Sequence, residues 1–219
     1  MAASTLPPRN PIRFYHCALS GHSHRVLLFL TLLDVPFEIV PVDLRKGEQR
    51  TPAFLALNAF GQVPVIDDNG FVLADSNAIL VYLAKRYDAG GTWLPEAPEH
   101  SAQVQRWLSV AAGPLAAGPA TARVINVFGR KADAEEAIAR ANVLLALMDA
   151  HLTDRVFFAG DVPTIADLAL YSYTAHAPEG NVSLEPYPQV RAWLQRIESL
   201  PRFVPMPRSQ VGLLAEVES

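Results

Sequence analysis

Residues 60–80 run Phe60-Gly-Gln-Val-Pro-Val-Ile-Asp-Asp-Asn-Gly-Phe-Val-Leu-Ala-Asp-Ser-Asn-Ala-Ile-Leu80. Gly61 to Ile66 predicts a tight turn feeding a short strand, with Pro64 placed where ladder pairing should begin. Proline has no N–H to donate, so in a strand it is confined to an edge, a first position or a special bond. Asp67-Asp68-Asn69-Gly70 has the composition of a hairpin turn, and Phe71-Val72-Leu73 that of the returning strand. Asp75-Ser76 then precedes Ile79, Leu80, Leu83 and Ala84 at helical spacing. A capping side chain at that point leaves the first helical N–H groups facing outward, ready for an anion. A backbone edge opened by a proline therefore lies close to a helix N-terminus, a combination that suits a small extended peptide carrying a carboxylate.

On the N-terminal side, Ile12 to Cys17 mixes β-branched and aromatic residues and predicts a first strand. Ser20-Gly21-His22-Ser23-His24 forms a turn, and a helix from about Ser23 through Leu33 follows, apolar almost all round and so expected to be buried. Asp34-Val35-Pro36 stops it before a second strand, Phe37 to Val42. A strand, a helix and a strand in that order make a βαβ unit with parallel strands. Asp43 to Thr51 is a polar loop, and Pro52 to Leu57 a short helix with proline at its start. The order βαβ then ββα predicts a four-stranded mixed sheet of thioredoxin-like layout over residues 11–87.

Asp88 to Pro98, rich in glycine and proline, reads as a linker. Residues 99–219 contain no convincing strand and predict an all-α domain. Its first helix, Glu99 to Arg123, should bend or break at Gly113-Pro114 and Gly118-Pro119. Asp133 to Leu152 places Ala134, Ile138, Ala141, Leu145, Met148 and Leu152 on one helical face. Thr164-Ile-Ala-Asp167 has capping-box spacing with Asp in place of the usual Glu. A last helix is expected over Tyr187 to Leu200.

Composition bounds the function. The chain has 219 residues, 50% hydrophobic and 18% charged, an ordinary globular balance. A net charge of −4 argues against nucleic acid, which calls for a basic face. The single cysteine, Cys17, excludes an internal disulfide and fits a reducing, cytoplasmic compartment. Met1 to Pro11 has no apolar core of a signal peptide. Val26 to Leu30, the longest apolar run, is too short to span a membrane.

Gly-Gln-Val-Pro followed by Asp-Ser-x-Ala-Ile resembles the glutathione site of soluble glutathione S-transferases, and Ser-Gly-His-Ser-His-Arg-Val resembles the serine-type, bacterial-like version of their first loop. Gly-Asp-Val-Pro-Thr-Ile-Ala-Asp is similar to the capping segment of their helical domain. The resemblance covers both halves. It implies a thioredoxin-like α/β domain followed by an all-α domain, glutathione as co-substrate with no metal, a small hydrophobic electrophile as the second substrate, and a homodimer that binds neither nucleic acid nor membrane.

A free thiol has a pKa of about 8.5, and the thiolate is the nucleophile. Lowering that value by two units takes roughly 2.7 kcal/mol of preferential thiolate stabilisation. One charge-assisted hydrogen bond gives about 1.5–3 kcal/mol and a helix N-terminus about 0.3–1 kcal/mol, so a hydroxyl at a helix start is sufficient. Ser20 is the first choice for that donor and Ser23 the second, and either could simply cap the helix. His22 and His24 are expected to be solvated or structural. The resemblance further implies that Val63 presents its backbone to the tripeptide's cysteinyl part across a cis bond to Pro64. It puts Ser76 at the γ-glutamyl carboxylate, Asp75 at the ammonium group, and Gln49, Arg50 and Gln62 at the glycine end. The electrophile pocket is expected between the first domain and the bent helix, from Trp107, Leu115, Arg123 and Tyr173. Two other readings stay open: a noncatalytic glutathione- or ligand-binding module, and a glutathione-dependent disulfide reductase or peroxidase using Cys17 of Cys17-Ala-Leu-Ser20.

Overall fold

A computed structural model describes residues 10–215, so most of the Met1–Pro11 stretch and the last four residues of the helical domain lie outside the described residues. The chain forms two compact units. One runs to Glu96 and takes back Leu200–Met206; the other comprises Ala97–Ser199 and the segment from Pro207 on.

In the first unit the elements follow the order β1 (Ile12–His16), α1 (Gly21–Leu32), β2 (Phe37–Pro41), α2 (Pro52–Leu57), β3 (Val65–Asp68), β4 (Phe71–Ala74) and α3 (Ser76–Tyr87). The sheet order is β2-β1-β3-β4. β1 pairs parallel with β2 and antiparallel with β3, and β3 with β4 antiparallel. Side chains alternate along β1: Ile12 and Phe14 are fully buried while Arg13 is exposed, as the two-residue period of a strand dictates. Tyr15, in register with Val65, joins the cluster of Val42, Phe54, Val63 and Val65, which also takes in Cys17 and Leu57. Asn69 and Gly70 both have positive φ, the backbone a two-residue hairpin needs. The hairpin is tied to α3 by Asp68, whose Oδ2 accepts from the hydroxyls of Tyr82 (2.7 Å) and Tyr87 (2.5 Å). Leu200–Met206 is tethered to α1 through His24 Nε2 and the Val204 carbonyl, 2.9 Å apart.

The second unit is helical: α4 (Pro98–Ala112), α5 (Thr121–Phe128), α6 (Ala134–His151), α7 (Ile165–Ala175) and α8 (Pro188–Glu198). α4 ends at Gly113, and a π-helical turn, Ala116–Ala120, carries Pro119 into α5. Gly118 within that turn touches the α6 backbone, and a Cβ there would lie 2.8 Å from Ala141 N. The Thr164–Asp167 capping box forms as its spacing predicts. Asp167 is fully buried; its carboxylate accepts from Thr164 N and Oγ1, Phe158 N and Trp193 Nε1. No described helix is long and apolar enough to cross a membrane.

Candidate functional site

β1 hands the chain to α1 through a turn closed by Ser20 N–H donating to the Cys17 carbonyl at 3.0 Å. Ser20 is the N-cap of α1, and its Oγ accepts from Ser23 N–H at 3.2 Å. That bond occupies one lone pair and leaves the hydroxyl proton for another acceptor. Ser23 is fully buried, and its Oγ accepts from Cys17 N–H at 3.4 Å. Ser20 retains 7% exposure against none for Ser23, so of the two serines it is the one with any remaining access to solvent. Cys17 packs partly buried against the Val42, Phe54, Val63, Val65 cluster.

The Val63–Pro64 bond is cis, just ahead of β3. Before it, Gly61 has φ of +60°, and a Cβ on it would meet Gln49 O at 2.9 Å and Arg50 Nη1 at 3.0 Å. Only glycine fits that close approach without strain. It places Gln49 and Arg50 beside the Gly61-Gln62-Val63 run, with the Gln62 carbonyl held by Asn58 Nδ2 at 2.8 Å.

Asp75 caps α3, accepting from Ala78 N–H at 2.9 Å, with its own φ at +74°. Ser76 is the first residue of α3 and is buried. Two α1 side chains reach it. Arg25, 1% exposed, donates from Nη1 to Ser76 Oγ (3.2 Å) and to Asn77 Oδ1 (2.7 Å). His22 Nδ1 lies 3.3 Å from the same Ser76 oxygen. Burial, reinforced by the Arg25 charge, pushes the His22 pKa down to about 3, so the ring is neutral at physiological pH. Ser20, His22 and Arg25 thus ride on one turn-and-a-half of α1, and Ser76 heads the helix that turn packs on. Two helix starts and one buried guanidinium favour a carboxylate there, with a hydroxyl donor at Ser20 for a second anionic group. His22 and Arg25 escaped the sequence reading as site residues; the signal available for Arg25 was a charge inside an otherwise apolar helix.

The four residues expected in an electrophile pocket lie in the second unit. Trp107 and Tyr173 are each 4% exposed, Leu115 and Arg123 fully buried. Trp107 packs on His151 and Phe158, with ring centroids 4.7 and 4.5 Å away. Arg123 departs from the expectation of a charge beside an apolar pocket. Its Nε donates to Glu179 Oε2 at 2.7 Å, and Glu179 Oε1 sits 2.6 Å from His176 Nδ1 and accepts from Ser209 N–H. An arginine enclosed with its own counter-ion has its charge answered inside the helical unit. Burial alone would push the Glu179 carboxyl up, but the His176 hydrogen bond and the Arg123 charge hold it below the usual range. A separate groove of about 810 Å³ runs between α4 and α6, lined by Trp107, Val110, Val143, Leu144 and Leu147 with Arg106 and Arg140 among its polar members.

Known proteins match this chain over most of its length. Residues 19–86 match the family model described as "Glutathione S-transferase, N-terminal domain", and residues 106–201 match "Glutathione S-transferase, C-terminal domain". Glutathione S-transferase 3 of Zea mays is 34% identical, over 90% of this chain and 96% of its own length. Glutathione S-transferase theta-2 of Rattus norvegicus is 32% identical, over 86% of this chain and 81% of its own length. The crystal structure of glutathione S-transferase from Pseudomonas fluorescens superposes with a TM-score of 0.85 at 35% identity, covering 90% of this chain and 99% of that one. Two family models matched in order on one chain, with relatives aligned over nearly their full length, place this protein in the glutathione S-transferase family.

Proposed function

We propose that this chain joins the glutathione thiolate to small hydrophobic electrophiles, with Ser20 as the thiolate's hydrogen-bond donor. The observation that carries this reading is the N-cap geometry of Ser20, whose Oγ accepts from Ser23 N–H and keeps its proton to give. Serine is too weak a base to take the thiol proton, which leaves to solvent. The hydroxyl and the α1 N-terminus then hold the sulfur anion in place. The thiolate pair forms the new C–S bond as a leaving group departs with its electrons, or as an activated double bond takes up a proton. Positioning comes from the rest of the site. Ser76 and the first N–H groups of α3 take the γ-glutamyl carboxylate, Asp75 the ammonium group and the Val63 backbone the cysteinyl part. Gln49, Arg50 and Gln62 take the glycine end, an assignment supported by the Gln49 carbonyl and the Arg50 side chain lying against Gly61, the residue before Gln62.

Steady-state conjugation rates for chloronitroaromatic and alkyl halide electrophiles test the assignment. Ser20→Ala should lower kcat/KM by about 10²-fold, the loss of roughly 2.7 kcal/mol of thiolate stabilisation, while Ser23→Ala should change it less than Ser20→Ala does. The opposite ranking would move the donor role to Ser23.

The same reading includes a cytoplasmic homodimer. Val143 and Leu147 stand one turn apart on α6, each 64% exposed, over the groove that Trp107 and Val110 line. Large apolar side chains left in water along one groove support a second copy of this chain as the occupant.

A further inference from the structure

The Ser76 oxygen has two lone pairs and one proton, and its surroundings decide where the proton goes. Arg25 Nη1 fills one lone pair, and His22 Nδ1 lies within hydrogen-bonding distance at 3.3 Å. If Nδ1 carries the imidazole proton, it fills the second lone pair, and the Ser76 O–H has to point away from both α1 side chains. If Nδ1 is bare, it accepts the Ser76 proton, and the hydroxyl is spent on the ring. We propose that His22 is a positioning residue for glutathione: with its proton on Nδ1 it completes the acceptor side of Ser76 Oγ, alongside Arg25, and directs the hydroxyl proton to the γ-glutamyl carboxylate. This rests on the assignment of Ser76 to that carboxylate.

Three observations support the arrangement. Both partners of Ser76 come from the helix that Ser20 caps, so the carboxylate end and the thiol end of the tripeptide are registered by one rigid element. Arg25 is buried and spends both Nη1 protons on α3, on Ser76 and Asn77, which fixes the Ser76 oxygen as an acceptor towards α1. His22 remains neutral at physiological pH, so moving its proton between the two ring nitrogens needs no net uptake of charge. A carboxylate arriving at Ser76 accepts only, and it therefore selects the Nδ1–H form.

The direct test is nitrogen NMR of histidine-labelled enzyme, with the His22 signals identified by their loss in His22→Asn. Glutathione-saturated enzyme should carry the proton on Nδ1; an unprotonated Nδ1 in that state would overturn the proposal. The second test is calorimetric affinity for glutathione. His22→Phe should weaken binding about five- to tenfold, the worth of one neutral hydrogen bond, and leave kcat at saturating glutathione within about twofold. His22→Asn, whose amide can place a donor near the Nδ1 position, should recover most of the affinity. In a Ser76→Ala background, His22→Phe should cost less than about twofold further. A cost equally large in that background would mean that His22 acts structurally and not through Ser76. If Ser76→Ala alone leaves affinity unchanged, the assignment of Ser76 itself falls.

Discussion

Arg123 and Arg25 are both buried arginines, and their surroundings assign them opposite roles. Arg123 lies against Glu179 with no exposed surface on either side chain, so removing it strands a carboxylate in a dry interior. Such a loss costs about 3–5 kcal/mol. Arg123→Ala should therefore lower the urea midpoint or melting temperature sharply, while kcat per folded molecule stays the same for nitroaromatic and alkyl electrophiles alike. A selective loss with one electrophile and unaltered stability would return Arg123 to the substrate pocket. Arg25 instead gives its protons to Ser76 and Asn77 at the start of α3. The sequence could not separate these two cases. Glu179 is 56 residues from Arg123, and Ser76 is 51 from Arg25, so the deciding contact is tertiary in each. Ser20, Ser76 and the Gly61-Gln62-Val63-Pro64 run were legible because their roles are local: a cap, a helix start, a turn. His22 was legible only as a polar residue near a helix start, since its meaning depends on what α3 brings beside it.

Strand and helix order could be read from the periodicity, while the hairpin turn expected over Asp67–Gly70 narrows to Asn69-Gly70 because Asp67 and Asp68 pair with Val72 and Phe71 inside β3. Most boundaries moved by a residue or two, but the helix expected to end at Arg123 runs on to Phe128, where Gly129 caps it in the left-handed region. α1 begins at Gly21, two residues before the expected start at about Ser23, because Ser20 supplies the cap. Pro119 was expected to bend or break its helix. The chain absorbs it in the π-helical turn Ala116–Ala120 and continues directly into α5, helped by Thr121 Oγ1 donating to the Ala116 carbonyl at 2.8 Å. A proline lacks only its own N–H, and a wider turn lets its neighbours find other carbonyls. Gly118 sits in this turn because α6 passes so close. Gly→Ala in a helix ordinarily gains about 0.5–1 kcal/mol, whereas forcing a methyl into packed backbone costs about 1–3 kcal/mol. Gly118→Ala should therefore destabilise the protein in chemical denaturation by about 1–2 kcal/mol. A neutral or stabilising result would mean that α6 can move away at little cost.

At the scale of the molecule, the two-part organisation followed from one glycine- and proline-rich stretch and from the absence of strand patterns after it. The return of Leu200–Met206 to the first unit did not, because its attachments, His24 to the Val204 carbonyl and Arg202 to Asp34, join residues about 170 to 180 positions apart in the chain. A face meant for a second copy leaves a sequence signature no different from that of a core. Val143 and Leu147 read as ordinary helix apolars until their 64% exposure is seen. On the proposed homodimer, wild-type protein should sediment as a dimer and Leu147→Glu as a folded monomer; a sedimentation coefficient unchanged by the substitution would contradict an interface on this face. The proposed function rests on a sulfur anion held at the start of α1. Its most direct test is a pH titration of enzyme-bound glutathione by thiolate ultraviolet absorbance, in the wild type and in Ser20→Ala. The wild type should hold the bound thiol about two units below the free value of about 8.5, and Ser20→Ala should return most of that shift. Saturable binding with an unshifted thiol pKa in the wild type would contradict the transferase mechanism and leave a glutathione-binding module in its place.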